Sequence, residues 1–429
     1  MKKLNNMPIV AILLCFLAIF ISVPVFSQSE KAQDLPGRSV VIDIDSPETS
    51  LYQIAVPNLQ GSKLGPEAAE VLRNDFKLVS LFKVLDARSF VENANAMGLN
   101  INKSDWSVVG AQSVIKGDIK QSGSSLNVEM RLYEIAKGSS PTLSKSYRTN
   151  ASHLRGVMHQ FANEVLRVLT GEPGHFDTRL AFAMRKGPGR KDVYVSDFDG
   201  HSVGRISKGR GVAMLPSFGP GGIWYSVLTK FGMFITRSGK NEKAVFSGTG
   251  MNMGVTACGN RLFFTSTRTG NAEIFSSDLE GNDLRQLTRH RGIDVSPSCG
   301  PGGKIAFVSD RHGGPQVFTM NGDGSGVKRV TYRGEYNQTP AWCPDPKKPL
   351  IAFTGRGGGS MDIFTVNLQT GEYLRLTQGQ GSNKDPAFSP DCRMVAFASS
   401  RGGIFLSNAE GLNQNKVVSG AAETVRWSR

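Results

Sequence analysis

Short apolar runs return at a near-constant interval along the second half of the chain. Their cores are Leu180-Ala181-Phe182, Ile223-Trp224-Tyr225, Leu262-Phe263-Phe264, Ile305-Ala306-Phe307, Ile351-Ala352-Phe353 and Val395-Ala396-Phe397. The first residues of successive runs lie 43, 39, 43, 46 and 44 positions apart. A period of this size, carried by runs of strand length, predicts the blades of a propeller. The fifth copy displays the unit. Pro340-Ala341-Trp342 opens it, Ile351-Ala352-Phe353 follows, then Asp362-Ile363-Phe364-Thr365-Val366, then Tyr373-Leu374-Arg375-Leu376-Thr377. Glycine and Asx clusters such as Gly355-Arg356-Gly357-Gly358-Gly359 and Thr370-Gly371 separate the runs. Strands punctuated in this way form an antiparallel four-stranded meander. Arg285-Gln286-Leu287-Thr288 and Lys328-Arg329-Val330-Thr331 repeat the closing run, and Pro386-Ala387-Phe388 repeats the opening one.

One such sheet leaves two edges and an apolar face unpaired, and six packed around an axis bury the faces. The first copy, at Thr178-Arg179-Leu180, lacks an opening strand. The last residues, Thr424-Val425-Arg426-Trp427-Ser428, are an opening strand with no blade after it. The C-terminus is therefore expected to supply the innermost strand of blade 1, with Trp427 against Leu180 and Phe182. The expected fold is an all-β six-bladed β-propeller over 173–429, preceded by a different domain.

Residues 28–172 lack the repeat. Val40-Val41-Ile42-Asp43-Ile44-Asp45 reads as a strand. Ala68, Val71, Leu72, Phe76 and Val79 give residues 65–81 helical spacing. Residues 113–119 and 126–133 read as paired strands about Gln121-Ser122-Gly123-Ser124, with 144–149 as a third. Leu154, Val157, Met158, Phe161, Val165, Val168 and Leu169 share one face of a helix ending at Gly171. The mixture predicts a two-layer α/β N-terminal domain, a mixed sheet with helices, joined to the propeller at Glu172-Pro173-Gly174.

Residues 1–27 carry a basic start, Lys2-Lys3, an apolar stretch over 9–20, and Val25-Phe26-Ser27 ahead of a polar segment. That is the layout of an export signal. Pro24 and Ser27-Gln28-Ser29-Glu30 favour cleavage over an uncleaved anchor. Cys15 lies inside the apolar stretch with no lipobox before it, which argues against lipidation. The formal net charge is +14. The propeller half, 171–429, carries most of it, with 32 basic against 21 acidic side chains. No run resembles a nucleic-acid arm, and export argues against nucleic acid. The excess suits an acidic protein partner, an anionic envelope surface, or solubility alone. Cys258, Cys299, Cys343 and Cys392 each fall in or beside an opening strand. The favoured reading is four separate buried thiols, although export permits disulfides. Their spacing does not fit a zinc site.

Gly200-His201-Ser202-Val203-Gly204 matches the G-x-S-x-G nucleophile pattern. That pattern needs a strand before it and a helix after it. Here the next residues are Arg205-Ile206-Ser207, and other copies hold turns at this place, so a hairpin turn is expected. Asp197-Phe198-Asp199-Gly200 and Asn321-Gly322-Asp323-Gly324-Ser325-Gly326 lack the further oxygen ligands of a calcium loop. No metal, nucleotide or other cofactor is indicated. Function then falls to the loops that cross from each outer strand to the next innermost strand: 210–215, 250–254, 290–296, 334–339, 379–385 and 420–424. Met251, Met253 and Tyr336 beside Asn337, Gln338 and Asn383 suit protein recognition, or merely a solvated loop set.

The segment Leu169-Thr170-Gly171-Glu172-Pro173-Gly174-His175-Phe176-Asp177-Thr178-Arg179-Leu180-Ala181 and the run Val195-Ser196-Asp197-Phe198-Asp199-Gly200 resemble the TolB family. That family belongs to the Tol–Pal system of the Gram-negative envelope. Ser309-Asp310-Arg311-His312-Gly313-Gly314-Pro315-Gln316-Val317-Phe318 is a second match, and the resemblance covers nearly all of 36–429. It implies a non-enzymatic, monomeric periplasmic adaptor that supports outer-membrane integrity and constriction at division. It implies docking of a Pal-like lipoprotein on the propeller face, at Met251, Asn252, Met253, Gly254, Asp294, Val295, Asn337, Asn383 and Lys384. It implies binding of a TolA-like inner-membrane protein by Arg38, Val40, Val41, Ile42, Asp43 and Ile44, with exposure of that segment sensitive to Pal. The chain departs from the family pattern where Val255 replaces a proline and where Met251 and Val295 replace polar residues. The alternative reading is a propeller-bearing periplasmic hydrolase, or an enzyme binding peptides or sugars.

Overall fold

The structure is a computed structural model that describes residues 51–92, 97–209, 211–239, 244–246, 250–357 and 359–429. The export segment, the strand expected at 40–45 and the TolA-side residues Arg38 to Ile44 lie outside the described residues. The first half is built on a five-stranded sheet. Its strands are β1 (Tyr52–Ala55), β2 (Phe82–Val84), β3 (Ser113–Ser122), β4 (Ser125–Glu134) and β5 (Leu143–Thr149), in the order β2-β1-β3-β4-β5. β1 runs parallel to both its neighbours, and β3, β4 and β5 form an antiparallel meander, so the sheet is mixed.

Two helices cover one face, α1 (Gly65–Leu78) and, much later in the chain, a helix over Leu154–Thr170. Leu154, Val157, Met158, Phe161, Val165 and Leu169 are buried as their spacing requires, and Gly171 ends the helix at φ 81°. A short helix, α2 (Lys103–Val108), lies between β2 and β3, which makes the long one α3. In addition to the two expected layers, Trp106 of α2 packs with Ala55, Val114 and Tyr133 in a smaller apolar cluster. α1 stops three residues short of the expected 81. Ser80 takes φ 63°, and Asn413 of the propeller donates to Lys77 O at 2.7 Å and to Ser80 Oγ at 2.8 Å. A tertiary partner thus takes up a carbonyl that another turn of helix would have used.

Six four-stranded antiparallel sheets follow. The innermost strands of blades 2 to 6 are Val212–Gly219, Asn252–Cys258, Asp294–Cys299, Asn337–Trp342 and Asn383–Phe388. Blade 1 takes its innermost strand from the C-terminus, as expected. Ala422–Trp427 pairs with Arg179–Gly187, placing Trp427 opposite Leu180. Trp427 Nε1 also donates to Thr178 Oγ1 at 2.7 Å, and Ser428 N donates to Arg179 O at 2.8 Å. Trp427 sits in one apolar cluster with Leu180 and Phe182.

The closing Thr of the repeat has a physical role. In four blades a buried acid or amide begins the third strand and accepts from the closing hydroxyl. The pairs are Ser207–Asp192 at 2.7 Å, Thr288–Glu273 at 2.6 Å, Thr331–Gln316 at 2.7 Å and Thr377–Asp362 at 2.8 Å. The same hydroxyl accepts from the next backbone N–H, at Val193, Ile274, Val317 and Ile363. Each clasp ties the outer edge of a blade to its third strand. Each such bond contributes about 1 kcal/mol, and breaking one strands a buried polar group at higher cost.

The expectation of four free thiols is overturned. Cys258 bonds Cys299, and Cys343 bonds Cys392, with Cα–Cα distances of 5.5 and 5.8 Å. The reason is geometric. Cys258 and Cys299 end neighbouring innermost strands, and Cys343, just past its strand, meets Cys392 in the first turn of the next blade, so cysteines 41 and 49 residues apart become neighbours.

The two halves form one compact unit. The α/β domain rests on the propeller face that carries the turns between third and fourth strands, opposite the crossing loops. Phe176 of the joint packs against Phe76 of α1 and against Phe198 of blade 1, and Phe198 packs on Trp427. Asn163 of α3 holds the joint by accepting from Phe176 N and donating to Asp177, both at 2.8 Å. Glu172 pairs with Arg393 at 3.4 Å. The joint is therefore a fastened strap.

Trp427→Ala should cost about 3–5 kcal/mol, and deletion of 423–429 more, because it opens two sheet edges. Thermal unfolding checks this, and an unchanged melting temperature contradicts it. Peptide mapping of the unreduced protein should recover Cys258 linked to Cys299 and Cys343 linked to Cys392. Replacing Cys343 and Cys392 together by Ser should destabilise by about 2–4 kcal/mol.

Candidate functional site: the loop-bearing face of the propeller

Each innermost strand begins at the same face and carries the same irregularity near its start. The register with the second strand slips in all six blades, between Met214 and Ser217, Met253 and Thr256, Val295 and Ser298, Gln338 and Ala341, Lys384 and Ala387, and Glu423 and Arg426. At each slip one residue has positive φ: Leu215, Gly254, Ser296, Thr339, Asp385 and Thr424. Five of the six are not glycine, so each conformation costs about 1–3 kcal/mol and must be held by its surroundings. It is held from the neighbouring blade. Gly254 N donates to Ser226 Oγ at 3.1 Å, Ser296 N to Thr265 Oγ1 at 3.3 Å and Asp385 N to Thr354 Oγ1 at 3.0 Å. Thr424 N donates to Asp385 Oδ2 at 3.1 Å across the closure of the ring. Asp385 lies half-buried beside Arg426. Loss of hydration raises its carboxyl pKa, against the pull of Arg426.

The bulge sorts the residues before it into two kinds. The first position of the strand is buried in five blades, as Ala422 in blade 1 and as a polar residue in four others, Asn252, Asp294, Asn337 and Asn383. Three of these hold the propeller's own structure. Asn252 accepts from Ser266 Oγ at 2.8 Å and from Arg268, Asp294 takes two bonds from Arg311, and Asn337 donates to Gln316 and to Arg333 O. Asn383 is equally buried, with a long 3.4 Å bond to Gly381 O. These four side chains, expected to meet a partner, face the interior. The next position is open to solvent: Met253 and Val295 are half-buried and Lys384 is exposed. So is the residue just ahead of the strand, Met251 at 45 % and Ile293 at 49 % exposed, with Tyr336 half-buried. Ile293 was missed in the sequence because it follows Arg291-Gly292 with no apolar neighbour. Only the repeat register marks it as the counterpart of Met251. Exposed apolar side chains around a polar, basic face are a protein-binding composition.

Ser202 lies in a hairpin turn, as expected. It takes φ 56°, donates to Asp197 Oδ2 at 2.8 Å, and is followed by the short strand Gly204–Arg205 rather than a helix. The two calcium-like loops spend their carboxylates on turns. Asp323 accepts from Ser325 N and Oγ, and Asp199 accepts from His201 N and pairs with Arg155. Among the described residues one set of potential metal ligands converges, Asp75, His159 and Asp199, all buried, with their ligand atoms within 4.8 Å of one another. The Arg155 guanidinium already sits on Asp199, so a side chain fills the cation's role there.

The architecture defines a class: an α/β domain strapped to a closed six-bladed propeller whose opposite face presents apolar residues on a repeated strand start. Two family descriptions match in the same order, the TolB amino-terminal domain over 40–140 and the TolB beta propeller domain over 166–356. The chain belongs to the TolB family. It is 34% identical over 281 residues to the Tol-Pal system protein TolB of Anaeromyxobacter dehalogenans, covering 61% of this chain and 63% of that one. It is 30% identical over 267 residues to the Tol-Pal system protein TolB of Desulfosudis oleivorans, covering 58% and 60%. The matched region thus spans about three fifths of these curated relatives. The crystal structure of TolB from Acinetobacter baumannii superposes with a TM-score of 0.78 at 24% identity, over 88% of this chain and 97% of that one, which establishes the shared fold.

Ser202→Ala should leave the unfolding free energy within about 0.5 kcal/mol of the parent's and leave partner binding unchanged. Covalent capture of Ser202 by a fluorophosphonate probe would contradict the turn assignment.

Proposed function

We propose that this chain is a non-enzymatic periplasmic adaptor of the Tol–Pal system. It docks a Pal-like lipoprotein on the loop-bearing propeller face and a TolA-like protein through Arg38 to Ile44. The observation that carries this reading is the ring of strand starts. The propeller's own structure consumes the polar first positions, which leaves Met251, Met253, Ile293, Val295, Tyr336 and Lys384 for a partner. Aromatic, Met and aliphatic anchors within a polar rim are the usual carriers of interface energy. The relatives' shared name, Tol-Pal system protein TolB, supports the system to which the partners belong. Two disulfides support an oxidising compartment outside the cytoplasm. Among the described residues no helix is long and apolar enough to cross a membrane.

Arg38 to Ile44 are apolar and β-prone enough to add to a sheet edge, in this chain or in a partner. A strand that can leave one edge for another is a two-state element that both partners can bias.

Isothermal titration of the full chain with the peptidoglycan-binding domain of Pal and with the C-terminal domain of TolA tests the reading. Met251→Ala, Ile293→Ala and Tyr336→Ala should each weaken Pal binding about tenfold, or about 1.4 kcal/mol. Deleting 28–44 should abolish TolA binding and spare Pal. If the two sites are linked, TolA must change Pal affinity by the same factor as Pal changes TolA affinity. Equal Pal affinities with and without TolA would make the sites independent. Turnover of ester or peptide substrates by the full chain would favour the enzyme reading instead.

A further inference from the structure

Four ionisable groups meet where the α/β domain rests on the propeller, and they come from three separate elements. Asp75 belongs to α1, His159 and Arg155 to α3, and Asp199 to the turn after the third strand of blade 1. Asp75 and His159 are buried, and so is the Asp199 carboxylate. His159 Nδ1 is 2.8 Å from Asp75 Oδ2, and Arg155 pairs with Asp199. The His159 ring packs edge-on to Phe198 at 5.5 Å, and Phe198 packs on Phe176 and Trp427. The polar groups are thus walled by the aromatic chain that joins the two domains. Asp75 Oδ1 and His159 Nε2 have no hydrogen-bond partner among the described residues.

The charge balance of this site depends on one proton. With a neutral imidazole, two carboxylates face one guanidinium, and the dry junction holds an uncompensated negative charge. With imidazolium the four groups sum to zero. An uncompensated charge away from water is far costlier than a paired one. In the separated domains the same groups would be hydrated, and their protonation would cost or gain little.

We infer that docking of the α/β domain on the propeller takes up a proton, held by the Asp75–His159 pair, which makes the junction a pH-sensitive latch between the two domains. The groups facing His159 are Asp75 from α1, Asp199 from blade 1 and Arg155 from its own helix. Burial alone would lower the imidazole pKa. The hydrogen bond and charge of Asp75, with the charge of Asp199, outweigh both burial and Arg155 and raise it above its ordinary value. Burial raises Asp75 to about 6, against the opposing pull of His159. Both shifts have the same sign for linkage, because the docked form binds its proton more tightly than the unfolded chain does. The stabilisation from His159 is complete below the ordinary histidine value of about 6.5. It fades as pH rises through the raised value. Asp75 adds to the trend between its usual carboxylate range and about 6.

The latch does not depend on which proteins bind either face, so its test needs no partner. In the full-length mature protein with labelled histidines, NMR titration should give His159 a midpoint above about 6.5, assigned by the signal lost in His159→Gln. Asp199→Asn should move that midpoint down. Hydrogen exchange should be read at α1, at α3 and at the turn 197–202, after correction for intrinsic rates. Protection there should fall by up to about tenfold per pH unit between about 6.5 and the midpoint and level off above it, while the innermost strands of blades 3 to 5 hold theirs. In His159→Gln the part of the junction's pH dependence that belongs to the imidazole should vanish, leaving only that of Asp75. A His159 midpoint at or below the ordinary value in the parent protein overturns the inference without recourse to any variant. The same pH dependence in His159→Gln overturns it equally.

Discussion

Closure of the ring is the constraint on which the rest depends. Six sheets bury their faces only if the sixth meets the first, and this chain makes that joint with its last strand. The joint does more than remove two edges. Trp427, at the inner end of Ala422–Trp427, contacts Phe198, and Phe198 contacts Phe176 and His159. Phe176 contacts Phe76 of the α/β domain. One apolar cluster runs from Tyr52 through Phe76 and Phe176 to Val425 and Trp427, so the α/β domain and the closing strand share a core. Arg429 adds a strut from blade 1 to blade 4, where it donates to Cys299 O at 2.7 Å.

Within this frame the repeat separates stability from recognition by position. The clasp of closing hydroxyl, buried acid or amide and backbone N–H holds the outer edge of a blade. The bulge with its positive φ, bonded to the neighbouring blade, holds the inner edge. Between them the polar first residues of the innermost strands turn inward: Asn252 and Asp294 bind their own blade, and Asn337 binds the one before it. Met251 and Val295 stand beside two of these positions. The backbone there is fixed by Gly254 N to Ser226 and Ser296 N to Thr265, whatever side chains precede them.

The parts legible in the sequence are those whose signal is local or periodic. The blades, the C-terminal closing strand, the β3–β4 hairpin, the stripe of α3 and the turn at Ser202 all followed from spacing and punctuation. The parts that escaped depend on residues far apart meeting at an angle the sequence does not encode. The cysteines were read one blade at a time. Their separations, 41 and 49 residues, are close to one repeat, the spacing that brings positions of neighbouring blades together. Asn252, Asp294, Asn337 and Asn383 looked like recognition residues because polar loops usually face water. Here the loop arginines Arg268 and Arg311 fold back and claim two of them. Asp75 and His159 lie 84 positions apart, one in a helix whose apolar stripe drew all the attention. A buried carboxylate on that stripe is a departure from the periodic pattern, and such departures are where function or strain is expected.

The closing strand also gives a physical form to any communication between the two faces. Its first residues, Ala422, Glu423 and Thr424, stand at the loop-bearing face. There Glu423 pairs with Lys191, and Thr424 N is bonded to Asp385 of blade 6. Its last, Trp427, lies in the core shared with the α/β domain. The strand carries its bulge at Thr424, between Glu423 and Arg426, so only a displacement that passes the bulge shifts its Trp427 end. Such a shift would alter the packing of Trp427 on Phe198, and Phe198 is the wall of the dry site around His159. Packed aromatic contacts and a charge site balanced by a single proton have discrete arrangements rather than a continuum. A partner seated on Glu423 and its neighbours would therefore reach the junction through a strand that runs from the loop-bearing face into the shared core. The strength of that action is set by the difference in affinity between the docked and undocked arrangements.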